Sequence, residues 1–453
     1  MIKKRILIIG GSGKIGSNLI KILKTNHSSC YDIFGTYNSN KISGLEELDV
    51  TNPEMIEKIF SKIKPDLVIH AAAIIRPLVC EENKKLAWET NVNSVRNLVE
   101  KCKAINCKMV FISSDYVYAG KNSIIDETEE LNPLNYYGET KAEAEKIVSK
   151  LNEFLIIRTA WVNDVNLDGK SFAMQLIDSL KNNRVFDAAI DQFGHPTYSV
   201  NLAEMIVELI LRKINGIFHA TGSTYIDRFN FAKKIAKAFC FNPDLINGIT
   251  TEPNSSIDRP LKVNLNLEKL KSKIKTNPLI LNEQLNMMRI DYDFQIPIEN
   301  VKLIPIGKFY DESDSLSVLV SKNRDDAPNA KIIQEVYVID ISNSDTIRAG
   351  HKHHYTDEFF IMLDGSAKFV LIDDRKNSPT YKKSFSIFLN GEFRSALFVP
   401  SGIFHIFKTT QNNSKCLAIS SKAFDKNNPD TFSPDWFNRG RLEEIFDPEF
   451  CSY

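Results

Sequence analysis

The chain has 453 residues, of which 43% are hydrophobic and 25% charged, an ordinary composition for a globular protein whose length predicts two or three domains. Lys plus Arg and Asp plus Glu both number 57, so charge gives no reason to expect nucleic acid or a membrane as partner. No apolar stretch can span a bilayer, and the 7 cysteines form no Cys-x-x-Cys pair, so we expect free thiols and a cytoplasmic protein.

The first predicted element is a buried parallel strand that leads into a glycine-rich loop. The strand is the β-branched apolar run Arg5-Ile6-Leu7-Ile8-Ile9, and apolar residues at helical spacing follow the loop. A strand, a Gly-x-x-Gly-x-x-Gly loop and a helix in this order indicate a dinucleotide site, because glycines let the backbone approach the pyrophosphate at the helix N-terminus. The loop residues predicted to bind the cofactor are Gly10, Gly13, Lys14, Ile15 and Gly16.

Further strand ends belong to the predicted cofactor site. The strand at 31–37 ends without the acid that often binds the ribose of NAD, and Lys41 lies nearby, which favours NADPH over NADH. A short strand is predicted to end around Asp49, whose carboxylate can contact adenine or belong to the helix start at 51–54, and both can hold at once. The strand at 66–70 ends in small residues that let a cofactor lie against the backbone, namely Ala71, Ala72 and Ala73.

The predicted catalytic pair is Tyr137 and Lys141, which are four residues apart and therefore share one face of a helix. A phenol titrates near pH ~10, and a neighbouring ammonium favours the phenolate, so the pair can exchange a proton near neutral pH. Ser114 ends another predicted strand, at the sheet edge where open α/β folds bind ligands, so we expect it beside Tyr137. The alternative is a surface tyrosine over a solvated lysine. His70 is predicted to be packed rather than catalytic.

The alternation of strands and helices predicts a doubly wound parallel sheet. With these motifs, residues from about Ile6 to Leu270 resemble the extended short-chain dehydrogenases/reductases, and within them the dTDP-4-dehydrorhamnose reductases. The block Ser113-Ser114-Asp115-Tyr116-Val117-Tyr118 carries this resemblance too, and the most specific blocks are Arg158-Thr159-Ala160-Trp161-Val162 and Asp191-Gln192-Phe193-Gly194-His195-Pro196-Thr197.

The resemblance implies an activity and a role for each catalytic residue. Tyr137 would donate a proton while NADPH (or NADH) delivers hydride to carbon 4 of a nucleotide-activated 4-keto-6-deoxysugar. Lys141 would bind the ribose and lower the pKa of the tyrosine, and Ser114 would hydrogen-bond the keto oxygen. Ala119-Gly120 departs from the family pattern and leaves the substrate contacts open, while Arg259 is either a substrate phosphate contact or a surface arginine.

From Ile298 onwards the pattern changes to short β-rich runs, which predicts an all-β barrel or jelly roll. His351 and His353 share one face of a strand, because side chains two residues apart point the same way. Glu358 leads the next strand, and His405 follows a Pro-x-Gly turn. These side chains suit a borderline divalent ion such as zinc. The alternatives are a metal-free catalytic cluster and a set of exposed polar residues at a hairpin.

The His-x-His, Glu and Pro-x-Gly-x-x-His pattern resembles the sugar-nucleotide cupins over about Ile304 to Phe432. Relatives in that group are the dTDP-4-dehydrorhamnose 3,5-epimerases and the cupin half of bifunctional capsular enzymes that make UDP-L-FucNAc precursors. This resemblance implies zinc binding and epimerisation of a 4-keto sugar. The 3,4-ketoisomerases also share Gly-x-His-x-His but would not need Glu358.

We therefore predict a Rossmann-like dehydrogenase/reductase domain at 1–285, a linker at 286–300 and a cupin domain at 301–453. The leading hypothesis is a homodimeric, bifunctional enzyme of cell-surface polysaccharide synthesis that epimerises or isomerises a 4-keto sugar and then reduces it. The alternatives are a non-catalytic nucleotide-binding protein like the regulatory subunit of methionine adenosyltransferase, and an active reductase whose cupin only binds substrate.

Overall fold

The structure is a computed structural model that describes residues 3–121, 123–165, 171–251, 257–292, 296–306, 308–310, 315–317, 333–434, 436–437 and 445–446. The chain divides into two compact units. The first unit comprises Met1–Met174, Asp187–Ala232 and Asn247–Gln284, and the second unit comprises Gln175–Phe186, Lys233–Ile246 and Leu285–Tyr453.

Strands and helices alternate over the first two thirds of the chain. The strands are β1 (Lys4–Ile9), β2 (Tyr31–Tyr37), β3 (Glu46–Glu47), β4 (Leu67–His70), β5 (Lys108–Ser114), β6 (Ile124–Ile125), β7 (Phe154–Thr159), β8 (Val162–Asn163), β9 (Phe186–Ala189), β10 (Phe193–Gly194), β11 (Thr197–Tyr198), β12 (Gly216–His219), β13 (Ile226–Asp227), β14 (Ile246–Ile249) and β15 (Asn264–Leu265). The α-helices are α1 (Lys14–His27), α2 (Pro53–Ile63), α3 (Pro77–Glu82), α4 (Lys84–Trp88), α5 (Ser94–Ala104), α6 (Tyr136–Val148), α7 (Phe172–Lys181), α8 (Ser199–Leu211), α9 (Arg228–Ala238), α10 (Glu268–Lys271) and α11 (Leu281–Asp291).

One parallel sheet of 7 strands organises the first unit, in the order β12-β7-β5-β4-β1-β2-β3. Both faces of the sheet are covered, because Leu7 and Ile9 pack with residues of α2 and α5, while Ile6 and Ile8 pack with residues of α1 and α8. A strand buried on both faces has to be apolar throughout, which explains the continuous apolar run of β1. The predicted doubly wound parallel sheet is confirmed.

The short strand expected around Asp49 was wrong in its position. The strand there is β3, Glu46–Glu47, which pairs with the end of β2. Asp49 Oδ1 instead accepts hydrogen bonds from the backbone nitrogen of Thr51 at 2.9 Å and from its hydroxyl at 2.7 Å. A side chain that bonds its own backbone two residues on closes a turn, so the chain leaves the sheet at this point.

The β-rich part of the second unit folds into two antiparallel sheets, in the orders β16-β24-β21-β26-β19 and β20-β25-β22-β23. Its strands, with a separate hairpin of β17 and β18, are β16 (Lys302–Pro305), β17 (Lys308–Tyr310), β18 (Ser315–Ser317), β19 (Glu335–Ile341), β20 (Ile347–His351), β21 (Glu358–Asp364), β22 (Ser366–Asp373), β23 (Ser384–Asn390), β24 (Ser395–Val399), β25 (Ile403–Thr409) and β26 (Ser414–Ser420). Phe360 and Leu397 of the first sheet share an apolar cluster with Phe369 and Phe407 of the second. The predicted all-β second domain is confirmed.

The region between the two folds contains a helix where the sequence predicted a linker from residue 286. Helix α11 runs from Leu281 to Asp291, so it continues into that segment. The domain limits at 285 and 301 stay a prediction. Of the strand expected over Ser317-Val318-Leu319-Val320, only Ser317 lies within the described residues, at the end of β18. No helix in the described part of the chain is both long and apolar enough to cross a membrane.

Candidate active site and candidate metal centre

The glycine loop lies tightly against the backbone that follows β4. Gly10 has φ +83°, and a Cβ on it would lie 2.8 Å from the backbone nitrogen of Ala72. A Cβ on Gly16 would lie 2.2 Å from the carbonyl oxygen of Gly10, while the Gly13 nitrogen donates to that oxygen at 3.0 Å. The loop therefore has no room for a side chain at Gly10 or Gly16, and Gly13 leads directly into α1, whose first residues are Lys14 and Ile15. This geometry fits a pyrophosphate at a helix N-terminus.

The other predicted cofactor residues lie at the same carboxyl edge of the sheet. Ala71 begins the partly exposed run of small residues through Ala73, and its nitrogen donates to Ile9 O at 2.9 Å. The N-cap of α2 is Asn52, which accepts from Glu54 N at 2.9 Å. Asp49 therefore shapes the turn before the helix, and its adenine contact stays a prediction.

Helix α6 and strand β5 bring the three predicted catalytic residues together. Asn135 caps α6 by accepting from Gly138 N at 3.0 Å, which fixes the helix start directly before Tyr137. Ser114, the last residue of β5, lies beside the Tyr137 phenol, and its hydroxyl donates to Asp115 Oδ1 at 3.0 Å. One helical turn further, Lys141 Nζ donates to Ile112 O of β5 at 2.6 Å. Tyr137 is only 7% exposed and Lys141 3% exposed, so the surface-tyrosine alternative does not hold.

Burial dominates the acid–base properties of this pair. Burial raises the pKa of Tyr137 well above its usual range, with the neighbouring Ser114 hydroxyl opposing and the Asp115 charge adding to the rise. Burial also lowers the pKa of Lys141 to about 7, although the Glu145 charge opposes it. Loss of water therefore dominates the pKa of Tyr137 in the protein by itself, and the expected lowering of that pKa by Lys141 stays a prediction.

A buried polar network lies behind the catalytic face. Arg158 and Glu145 form an ion pair of 2.7 Å in which both side chains are 3% exposed. Ser113 donates to Glu145 at 2.5 Å, and Arg158 donates to the hydroxyl of Tyr118, also at 2.5 Å. Losing one partner of such a pair would leave a buried charge unpaired. The predicted packing of His70 is confirmed, since it is 1% exposed and burial lowers its pKa to about 3.

The structure adds residues near Tyr137 that the sequence analysis did not single out. Asp115 follows Ser114 in a 3₁₀ turn, and burial raises its pKa to about 6. Arg228 stacks over the Trp161 ring at 3.5 Å and feels the charges of both Asp115 and Arg259. Arg259, for which the sequence left open a phosphate contact or a surface arginine, is exposed and lies close enough to Tyr116 to oppose the rise of its pKa. Asp115 could have been found from its place next to Ser114, but nothing in the sequence around Arg228 marks it.

The four predicted metal ligands of the second unit converge. One ligand atom from each of His351, His353, Glu358 and His405 lies within 4.8 Å of all the others. His351 is paired with His405 in the register of β20 and β25, after a bulge that carries the positive φ of Gly350. Glu358 begins β21 and lies 3.2 Å from His353 Nε2 and 3.1 Å from His405 Nε2.

The donor set fits a divalent cation. Among the described residues, His353 Nε2, Glu358 Oε2 and His405 Nε2 are buried atoms without a hydrogen-bond partner, and all three face one another. Burial by itself would raise the pKa of Glu358, but the two imidazoles overcome it and hold that pKa well below its usual range. Buried unsatisfied donors and acceptors are costly unless something binds them, and three imidazoles with one carboxylate suit zinc.

Outer residues hold Glu358 in place. Its Oε1 accepts from the hydroxyls of Tyr337 and Ser420, each at 3.3 Å, which leaves Oε2 directed at the histidines. Such supporting contacts fix the orientation of a metal ligand. Neither residue carries a sequence signal, because β26 pairs with β21, and β19 with β26, only in the folded sheet.

Comparisons with known proteins divide the chain in two. Residues 4–292 match the family described as RmlD substrate binding domain, and residues 299–432 match the FdtA family described as WxcM-like, C-terminal. A dTDP-4-dehydrorhamnose reductase of Aggregatibacter actinomycetemcomitans is 30% identical over 288 residues, which cover 60% of this chain and 94% of the relative. Subunit beta of methionine adenosyltransferase 2 from Xenopus tropicalis is 28% identical over 275 residues, 59% of this chain and 81% of that one.

A solved relative supports the same division. The dTDP-4-dehydrorhamnose reductase of Bacillus anthracis in complex with NADP superimposes with a TM-score of 0.57 at 27% identity, covering 64% of this chain and 99% of that chain. Both resemblances inferred from the sequence are thereby confirmed. Since the first match covers well over half of the chain, the protein belongs to the RmlD substrate-binding domain family and carries a WxcM-like cupin domain at its C-terminal end.

Proposed function

We propose that the chain is a bifunctional enzyme that acts on a nucleotide-activated 4-keto-6-deoxysugar. Its first unit reduces the 4-keto group with NADPH, and its cupin epimerises or isomerises the same sugar beforehand, in the synthesis of a cell-surface polysaccharide. The observation that carries the proposal is the buried Tyr137–Ser114 pair at the sheet edge that also holds the glycine loop. The dTDP-4-dehydrorhamnose reductases among the relatives support the substrate class.

The glycine loop and the first turn of α1 would hold the dinucleotide, with Ala71 to Ala73 beside it. The loop fits this role because Gly10 and Gly16 leave no space for a Cβ and so allow close approach of the backbone. The bound cofactor supplies a hydride. NADPH rather than NADH is supported by the acid-free end of β2 and by the relative solved with NADP.

Tyr137 acts as the proton donor to the keto oxygen. Its raised pKa keeps the phenol protonated at neutral pH, so it arrives as an acid, and Ser114 orients it. Lys141, with a pKa near the operating pH of about 7, can hold or release a proton one turn away. Arg228 and Arg259 would meet the diphosphate of the substrate, because guanidinium groups bind phosphate oxygens in pairs.

The cupin would hold a divalent ion through His351, His353, Glu358 and His405. Such an ion acts as a Lewis acid toward a carbonyl oxygen. A keto group acidifies the hydrogens on the neighbouring carbons, so removal of one proton and its return on the other face inverts that centre. Reduction at carbon 4 then prevents reversal. Covalent linkage of two activities raises the effective concentration of a labile intermediate.

A second candidate function is nucleotide binding without turnover, which the similarity to the methionine adenosyltransferase subunit favours. Against it stands the complete set of Ser114, Tyr137 and Lys141, all buried at one edge. A third candidate is an active reductase whose cupin only binds substrate. Exchange of solvent deuterium into the sugar, measured without NADPH, separates this candidate from the bifunctional enzyme.

The test replaces the proton donor and leaves the cupin intact. Tyr137→Phe is expected to lower NADPH oxidation with the keto sugar by about 10²–10⁴-fold, because general acid catalysis is lost. Solvent deuterium exchange by the cupin should persist. Tyr136→Phe is the matched control, since that ring lies against Trp88 rather than in the Tyr137–Ser114 pair. Reduction at the normal rate by Tyr137→Phe, or no NADPH oxidation with any dTDP- or UDP-4-keto sugar, would contradict the proposal.

A further inference from the structure

A short segment after the last cupin strand is paired with the hairpin that carries His351 and His353. We call residues 430–432 the strap. Lys352 and Phe432 exchange two backbone hydrogen bonds of 2.9 Å, and the Phe432 ring lies 4.0 Å from the ring of His354. The strap is therefore hydrogen-bonded to the residue between the two histidines.

The strap fixes the orientation of one predicted metal ligand. The Nδ1 of His353 hydrogen-bonds the backbone carbonyl oxygen of Asp430. Because a carbonyl oxygen only accepts, Nδ1 carries the proton and the lone pair lies on Nε2. That Nε2 is the atom directed at Glu358, 3.2 Å away. His405 differs, since its Nδ1 lies 3.3 Å from the carbonyl of Ile403 on its own strand.

The side chain of the same aspartate holds the loop between two ligands. Asp430 Oδ1 accepts from His354 N at 2.9 Å, and Oδ2 accepts from Tyr355 N at 2.9 Å and from Thr356 Oγ1 at 2.8 Å. These residues connect His353 with Glu358. Within this loop Tyr355 is 72% exposed, whereas Thr356 is buried. One residue thus sets both the tautomer of a ligand and the path of the chain to the next ligand.

We propose that Asp430 is a positioning residue of the metal centre, and that the strap determines how tightly the cupin binds its ion. The inference rests on the proposed metal site. It adds to that site a residue that is not itself one of the ligands. Loss of an outer contact to a ligating histidine typically lowers metal affinity by about 10–100-fold. We expect a loss of affinity within this range when the Asp430 side chain is removed, because that side chain ties the connecting loop to the strap whose carbonyl oxygen contacts His353.

The test measures binding of Co²⁺ to the full chain, followed by its absorption spectrum, and of Zn²⁺ by competition with a chelator. Asp430→Ala should weaken binding by about 10–100-fold and change the spectrum of the saturated Co²⁺ protein, because the loop from His353 to Glu358 loses its side-chain anchor and the strap no longer holds its carbonyl oxygen firmly at His353 Nδ1. Asp430→Asn keeps an acceptor oxygen and should restore part of the affinity. Asp425→Ala is the matched control, since Asp425 is exposed and its side chain accepts from Asn427 N two residues on, at 2.8 Å.

The outcomes separate the two proposals. If the unmodified chain binds no Co²⁺ or Zn²⁺, the proposed metal site itself fails. If it binds metal and folded Asp430→Ala has the same affinity and spectrum, the role of the strap is overturned. If Asp430→Ala binds metal more weakly but its spectrum at saturation is unchanged, the effect is structural only. This result also overturns the role of the strap. Should Asp430→Ala not fold, Thr356→Val decides, because it removes one of the three side-chain contacts and should weaken binding severalfold.

Discussion

At the scale of single residues, burial rather than charge spacing sets the chemistry of the active site. Tyr137 and Lys141 lie on one helix face as their spacing requires, yet both are almost completely buried. Each pKa therefore moves toward the neutral form of its side chain, upward for the phenol and downward for the ammonium. A phenol that stays protonated is a proton donor, so burial selects the acid role of Tyr137 over the base role.

The lowered pKa of Lys141 makes stability depend on pH. An unfolded lysine keeps its proton up to about pH 10.5, whereas the folded one releases it near pH 7. Between these values the unfolded state binds more protons, so the free energy of unfolding rises with pH, by up to about 1.4 kcal/mol per pH unit. Urea unfolding at about pH 7 and about pH 9 measures this slope.

Lys141→Met provides the comparison, since methionine has a similar length and no titrating group. The unmodified chain should gain more stability than Lys141→Met on going from about pH 7 to about pH 9. An equal gain in both proteins would show that the pKa of Lys141 is not lowered. Below pH 7 both states of the lysine are protonated, so the two proteins should respond alike there.

At the scale of elements, close backbone approach defines the cofactor loop. The loop between β1 and α1 lies very close to the chain after β4. At Gly10 a positive φ therefore coincides with a lack of space for a Cβ. Gly44 has nearly the same φ, +81° against +83°, but no atom lies within 4 Å of the position of its Cβ. Substitution of Gly44 therefore tests backbone strain alone, whereas substitution of Gly10 tests backbone strain together with the close contact in the cofactor loop.

Gly10→Ala is expected to lower NADPH affinity by about 100-fold or more, because a misfit of 1.4 kcal/mol already costs tenfold. Gly44→Ala should cost about 1–2 kcal/mol of stability from its left-handed backbone and leave NADPH affinity unchanged. Quenching or transfer of protein fluorescence on titration with NADPH measures the affinity. Equal affinities for both variants would exclude a close cofactor approach at Gly10.

At the scale of the whole molecule, two folds with separate sets of candidate functional residues share one chain. Chelation of the metal is expected to stop deuterium exchange by the cupin while NADPH oxidation on an already epimerised substrate continues. It should also lower the stability of the cupin, by about 2.7 kcal/mol where free metal had been about a hundred times its Kd. Differential calorimetry with and without chelator records this change.

The matched variants for metal removal are His353→Ala and His354→Ala. The first should reproduce the effect of the chelator, because His353 contributes a ligand atom to the cluster. The second removes an exposed ring that supplies no atom to the cluster and keeps the backbone nitrogen that donates to Asp430, so exchange should continue at saturating metal. Exchange that survives both chelation and His353→Ala would favour metal-free catalysis by the remaining histidines.

The sequence by itself determined the parallel and antiparallel folds, the glycine loop, the Tyr137 and Lys141 pair and the four-ligand cluster. These follow from local patterns, since strand periodicity, helical spacing and glycine positions act over a few residues. Only the tertiary structure decided the protonation of Tyr137, the residues that surround Tyr137, and the contacts that support the predicted metal ligands. Arg228, Tyr337 and Asp430 reach their sites from elements that are distant in the sequence. The burial of a group depends on everything packed around it. A local sequence pattern could therefore show neither these contacts nor the protonation of Tyr137.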